Sequence, residues 1–176
     1  LEPEDRQIDS LEKLRFYPGV ICALSKIAKE TDYELVMVTN QDGLGTDSFP
    51  SPTFWPAHNK MLAVLNGEGV RFADMLIDKS MPADMADTRK PRLGMMDAYL
   101  SGNYDLENSF VIGDRETDIE FAKNMGTGVI ILNEACEGAG LCTTNWYDVY
   151  RFLRFGRRRA ALTRKTTETD ISVVID

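Results

Sequence analysis

The chain is poor in the residues that most often carry chemistry by themselves. One histidine in 176 residues leaves no room for a histidine-based metal site or a histidine proton relay. Three cysteines, Cys22, Cys136 and Cys142, are odd in number and irregularly spaced. No disulfide framework is therefore expected, and a reducing, cytoplasmic setting is. No apolar run reaches the roughly 18 residues that a membrane-spanning helix needs, so no membrane partner is expected. The start, Leu1-Glu2-Pro3-Glu4-Asp5, is acidic and has no apolar stretch behind it, so no secretory leader is expected. Basic residues number 20 against 28 acidic ones, a net charge of −8, which argues against a general nucleic-acid binder. Any chemistry falls to carboxylates, lysine and threonine.

The remaining composition is that of a globular domain, 43% hydrophobic and 27% charged. Charge is distributed unevenly. Residues 1–150 hold 13 basic and 25 acidic residues, whereas residues 151–176 hold 7 and 3, an asymmetry that marks a boundary between units. Arg157-Arg158-Arg159 reads as part of a basic interdomain linker rather than an anion patch.

Strands and helices alternate along the chain. Pro18-Gly19 opens a helix with Val20, Ile21, Leu24, Ile27 and Ala28 at helical spacing, stopping near Thr31. Residues 33–38 read as a buried strand, 41–55 as a loop and 56–68 as a helix. A short strand over 75–77 leads into a polar loop over 78–92 and a helix over 93–100. A third strand over 109–112, a helix over 116–125 closed by Gly126, a fourth strand over 128–132 and a helix over 146–155 follow. The final stretch, 167–176, is β-like. This alternation predicts an α/β fold with a parallel sheet.

In such sheets ligands bind beyond the carboxyl ends of the strands. Three polar clusters fall there: Thr39-Asn40-Gln41-Asp42-Gly43, Arg89-Lys90-Pro91 and Gly113-Asp114-Arg115-Glu116-Thr117-Asp118. Asp114 is either a hard oxygen ligand for Mg²⁺ or a helix cap. Thr39 and Asn40 either meet a phosphate oxygen or satisfy a turn. Lys90 either neutralises a phosphoryl group or is a solvated loop lysine. Taken together, in this order and each at a strand end, the three clusters point to phosphate plus Mg²⁺. His58 reads as a surface or capping residue. Phe54-Trp55 reads either as an aromatic surface for a substrate ring or as an anchor for the 41–55 loop. Asp78, Asp84 and Asp87 read as solvated loop carboxylates.

Val38-Thr39-Asn40-Gln41, Arg89-Lys90-Pro91 and Val111-Ile112-Gly113-Asp114-Arg115-Glu116-Thr117-Asp118 resemble motifs II, III and IV of the haloacid dehalogenase (HAD) phosphatases. Within that superfamily, Thr39–Thr46 with Ser48-Phe49-Pro50 and His58-Asn59 is similar to the histidinol-phosphate phosphatase domains of bifunctional histidine-biosynthesis proteins. Phe16–Val20, Pro82-Ala83-Asp84 and Glu120–Gly126 fit the same pattern. Arg164–Ile171 resembles the start of the imidazoleglycerol-phosphate dehydratase domain that follows the phosphatase in such proteins. The resemblance thus implies a HAD phosphatase domain over 1–156, and over 157–176 a linker and the start of a fused dehydratase. The sheet would be Rossmann-like, with little or no cap domain.

The family's chemistry is covalent. An aspartate of motif I attacks phosphorus, and a second aspartate two residues on protonates the leaving alcohol and later activates water. By motif, Asp114 would hold Mg²⁺, Thr39 would bond the transferred phosphoryl group, and Lys90 would neutralise it and orient the nucleophile. Asn40 and Gln41 would lie beside a small phosphorylated substrate, L-histidinol phosphate. Asp118 would support the site without touching the metal. Two departures stand out. No Asp-x-Asp occurs in the chain; the family places it on a strand just ahead of the position of Leu1, so the chain by itself is expected to be inactive. Some relatives carry a zinc loop before motif III, whereas residues 78–90 contain neither Cys nor His, so no zinc is expected. The alternatives are a HAD phosphatase for a sugar phosphate such as a heptose bisphosphate, or a non-catalytic phosphate-binding domain.

Overall fold

The computed structural model describes residues 7–156, 160–165 and 170–175. Five helices and seven strands occur among them: α1 (Val20–Glu30), β1 (Val36–Asn40), α2 (Ser51–Gly67), β2 (Asp74–Asp78), α3 (Asp97–Leu100), β3 (Phe110–Gly113), α4 (Glu116–Met125), β4 (Gly128–Ile131), β5 (Leu141–Cys142), α5 (Trp146–Phe155), β6 (Ala160–Lys165) and β7 (Asp170–Ile175). The expected α/β fold with parallel strands and flanking helices is present. No helix among the described residues is long and apolar enough to cross a membrane.

Local chemistry explains several element ends. Gly19 takes a left-handed φ of 77° ahead of α1, where a side chain would be strained. Asn145 caps α5 by accepting from the Tyr147 amide at 2.9 Å. Gly126, at φ 74°, closes α4. Two expectations need correction. The helix assigned to 56–68 begins at Ser51. Pro52 sits in its first turn, where a missing N–H costs nothing, and the helix continues through Pro56. The helix assigned to 93–100 shrinks to Asp97–Leu100. Residues ahead of it are drawn into turns instead, with the Gly94 amide donating to Asp87 at 2.8 Å.

The cysteine expectation also changes. Cys136 and Cys142 are joined in a disulfide, with Cα atoms 5.9 Å apart. Their spacing of six residues matches the loop that leaves β4 and returns as β5, which brings the two side chains face to face. Cys22 is free and exposed. Residues 160–165, part of the stretch read as linker, form an antiparallel hairpin with 170–175. Arg157–Arg159 lie outside the described residues.

β1 pairs in parallel with β2, and β3, β4 and β5 form a second parallel group. Among the described residues the inner edges of β1 and β3 carry no partner strand. Both line a cavity of about 1100 Å³, through Val36, Met37 and Val38 on one side and Phe110, Val111 and Ile112 on the other. Ile27, Phe121 and Trp146 also face it. The buried Trp146 indole Nε1 has no hydrogen-bond partner among the described residues, an arrangement that costs on the order of 1–3 kcal/mol while it lasts. The core lies on both sides of this slot. One cluster joins Val20, Ala23 and Ile27 of α1 to Val149 and Tyr150 of α5. Another gathers Met96, Tyr99, Phe121 and Met125, against which Val36, Val38 and Val111 pack.

Candidate active site

The C-terminal ends of β1, β2 and β3 deliver the polar residues. Asn40 and Asp78 are register partners at the ends of β1 and β2. Thr39 precedes Asn40, and its hydroxyl accepts from the Gln41 side-chain amide at 2.9 Å. The Gln41 backbone amide donates to the Asp78 carbonyl at 2.7 Å, which carries the parallel pairing one residue past Asn40.

Lys90 is gripped at two places. The Asn40 side chain uses both ends of its amide on the lysine backbone: Nδ2 donates to the Lys90 carbonyl at 3.1 Å and Oδ1 accepts from the Lys90 amide at 3.0 Å. The Lys90 ammonium donates to Asp118 Oδ1 at 2.8 Å and sits 5.9 Å from the Phe121 ring centre, within cation–π range. Lys90 also lines the slot between β1 and β3. It is therefore a fixed cation at the sheet's carboxyl edge, not a solvated loop lysine.

Asp118 is 4% exposed. Its second oxygen accepts from the backbone amides of Asp114 and Arg115, both at 3.2 Å. One carboxylate thus caps the start of α4 and anchors Lys90. A Cβ on Gly113 would overlap that carboxylate, which is why glycine stands at the end of β3. Asp114 has the opposite character. Its carboxylate is exposed, and its ion-pair partner is Arg115 at 3.9 Å. Among the described residues no three Asp, Glu, His or Cys side chains converge as a metal cage. Asp114 offers one open carboxylate, the hard oxygen donor that Mg²⁺ commonly takes together with substrate phosphate and water.

Thr39, Asn40, Gln41, Lys90 and Asp114 are thus brought together at one edge, with Asp118 as the link between the last two. Three neighbours were not legible as site residues. Asp78, read as solvated, is 4% exposed. Its carboxylate accepts from the Ser80 amide at 3.0 Å, from the Ser80 hydroxyl at 2.5 Å and from the Thr88 hydroxyl at 2.5 Å. Arg89 grips Asp42 with both guanidinium ends, at 2.6 and 3.0 Å, and donates to the Ser80 carbonyl at 2.9 Å. Burial pushes the Asp78 pKa up, but the hydrogen bonds from Ser80 and Thr88 and the charge of Arg89 outweigh it, so the net shift is downward. The presence of Asp42 and Arg89 in two of the polar clusters was the available signal; their pairing across 47 residues was not.

His58 also departs from expectation. It is 8% exposed and stacks on Phe54 with ring centres 4.9 Å apart. Burial lowers its pKa. Phe54 packs with Leu44 and Phe49, so it anchors the loop leaving β1, while Trp55 is partly exposed.

The HAD-hydrolase-like family model matches residues 87–135, a span that begins just before Lys90 and ends beyond β4. Over those residues the sequence is similar to that family. It is 55% identical to the histidine biosynthesis bifunctional protein HisB of Bacteroides fragilis, over 99% of this chain and 49% of that protein. It is 49% identical to the protein of the same name from Spirosoma linguale, over 99% of this chain and 51% of that one. The chain therefore spans about half the length of these curated relatives. Among solved structures it is similar to the D,D-heptose 1,7-bisphosphate phosphatase of B. bronchiseptica, solved with magnesium and phosphate. There the TM-score is 0.73 and the identity 24%, over 86% of this chain and 90% of that one. That likeness shows a shared fold.

Proposed function

We propose that this chain is the phosphatase part of a bifunctional histidine-biosynthesis protein and that, in the full-length protein, it hydrolyses L-histidinol phosphate to L-histidinol and phosphate with Mg²⁺. The observation that carries the reading is the meeting of Thr39, Lys90 and Asp114 at the carboxyl edge of β1 and β3, on either side of an unfilled slot. The slot's lining calls for a further parallel strand, apolar on both faces, whose backbone would pair with both bare edges. An aspartate at that strand's carboxyl end would emerge among the three residues. It would serve as the nucleophile, with a second aspartate two residues on as general acid and base.

Each residue then has a task. The Thr39 hydroxyl donates to a transferring phosphoryl oxygen. The Lys90 ammonium, held by Asp118, neutralises developing charge without having to reorient. Asp114 and the added aspartates would hold Mg²⁺, which supplies Lewis-acid stabilisation of the phosphoryl group. Gln41 fixes the Thr39 hydroxyl, and Asn40 holds the Lys90 backbone. The loops after β1 and β2 shape an open entrance without a cap. Residues 157–176 would lead into the fused dehydratase domain.

The test is phosphate release by the full-length protein from histidinol phosphate and from a heptose bisphosphate, each with Mg²⁺ or EDTA, beside an Asp114→Asn variant. Mg²⁺-dependent release from histidinol phosphate that is lost in Asp114→Asn supports the reading. Turnover of the heptose compound alone replaces the substrate, and no turnover of either leaves a phosphate-binding domain.

A further inference from the structure

The loop joining β2 to motif III has little apolar support. Residues 81–85 are all exposed, and Met81 and Met85 are 45% and 65% exposed. Yet it returns three consecutive residues, Thr88, Arg89 and Lys90, to defined partners on two adjacent strand ends. Lys90 is tied to Asn40 of β1. Thr88 is tied to Asp78, the register partner of Asn40 on β2. Arg89 lies between them, with a guanidinium nitrogen 4.0 Å from Asp78, and its two ends reach across to Asp42.

Asp78 also holds the outgoing limb, through the Ser80 amide and hydroxyl. One buried carboxylate therefore clamps both limbs of the loop at its base, ten residues apart at Asp78 and Thr88. A charged acceptor is needed there because three donors and a guanidinium converge on it. A neutral amide accepts at one end only and turns donors toward donors at the other.

We propose that Asp78 is a positioning residue for Lys90: its carboxylate, acting through Thr88 and Arg89, sets where the Lys90 backbone meets Asn40, and so where the ammonium stands. The proposal rests on Lys90 serving the phosphoryl-transfer site described above. Displacing a catalytic group by about 1 Å costs on the order of 100-fold in rate. Asp78 is buried and its carboxylate is engaged within the loop, so its effect is expected through Lys90, in kcat more than in KM.

The test uses the full-length protein and two variants, Asp78→Asn and Thr88→Val. Hydrogen exchange is followed over 86–92 and over 110–131, and phosphate release is measured on histidinol phosphate and on p-nitrophenyl phosphate. The expected result is faster exchange over 86–92 with unchanged exchange over 110–131. With it, kcat falls about 10- to 100-fold in Asp78→Asn and less in Thr88→Val, while KM stays within about 3-fold. Unchanged kcat, a rise in KM alone, or faster exchange spread over 110–131 would each overturn the proposal. If the wild-type protein hydrolyses neither compound, the phosphatase reading fails separately. The exchange measurement then decides alone: local loosening over 86–92 supports the link from Asp78 to Lys90, and unchanged exchange refutes it.

Discussion

Replacing Asp118 by alanine should weaken the fold far more than replacing Asp114, though the two lie four residues apart. Asp118 is 4% exposed and makes three hydrogen bonds, one from the Lys90 ammonium at 2.8 Å and two from backbone amides at 3.2 Å. Its removal leaves a largely buried ammonium unpaired and the start of α4 uncapped. Removing one partner of a buried pair costs about 3–5 kcal/mol. The Lys90 side chain is 17% exposed, so some water reaches it, and about 3 kcal/mol is the reasonable figure. Asp114 is exposed and weakly paired, and its replacement should cost under about 0.5 kcal/mol. Urea unfolding followed by circular dichroism reads both. With a slope of about 2 kcal/mol per molar urea, Asp118→Ala moves the midpoint down by roughly 1.5 M. Asp118→Asn should fall between the two, since it keeps one acceptor for the amides and loses the charge. A loss in Asp118→Ala within about 1 kcal/mol of that in Asp114→Ala would refute the assignment of Asp118 as the joint anchor of Lys90 and α4.

Three further outcomes follow from the same geometry. Residues 1–176 alone should release no phosphate, whereas a longer chain carrying an Asp-x-Asp strand should be active and melt at a higher temperature; both are read by phosphate release and calorimetry. Asp114→Asn in that longer chain should lower Mg²⁺-dependent phosphate release at least about 100-fold, with its urea midpoint nearly unchanged. His58 has a folded pKa lowered by burial from 6.5. It therefore contributes stability above pH 6.5 that is lost as pH falls from there through the folded value. Unfolding free energies measured from pH 8 to 5 should show this loss in the wild type and a flatter profile in His58→Phe.

What was legible in the sequence was local. β3, α4 and β4 fall within a residue of their expected bounds, because Gly113, Gly126 and the apolar runs between them are punctuation that neighbours alone decide. The start of α2 was not legible, since Pro56 reads as a helix opener when Pro52 already plays that part. The roles of Asp78, Arg89 and Asp42 were not legible either. Their meaning comes from a loop that folds back on its own base and from a pair 47 residues apart. The motif resemblance gave Asp114 and Asp118 different tasks, but the residues alone carry no sign of their different burial. The close approach of Asp118 over Gly113 supplies the physical reason that one carboxylate is engaged and the other open.

The sheet's division has a consequence for how the molecule comes together. β1-α2-β2 and β3-α4-β4-β5 are each contiguous segments, and the strand pairing among these five strands stays within each segment. Each closes its own hydrogen-bond ladder with local contacts, while the apolar faces of β1 and β2 are covered by Phe121 and Met125 of α4. The polar stitches between them run through the few residues around Lys90, with Asn124 of α4 donating to the Pro91 carbonyl at 3.0 Å beside the Lys90–Asp118 pair. Motif III is then a seam as well as a source of charge, a polar stitch at the edge of the apolar cluster that the two segments share.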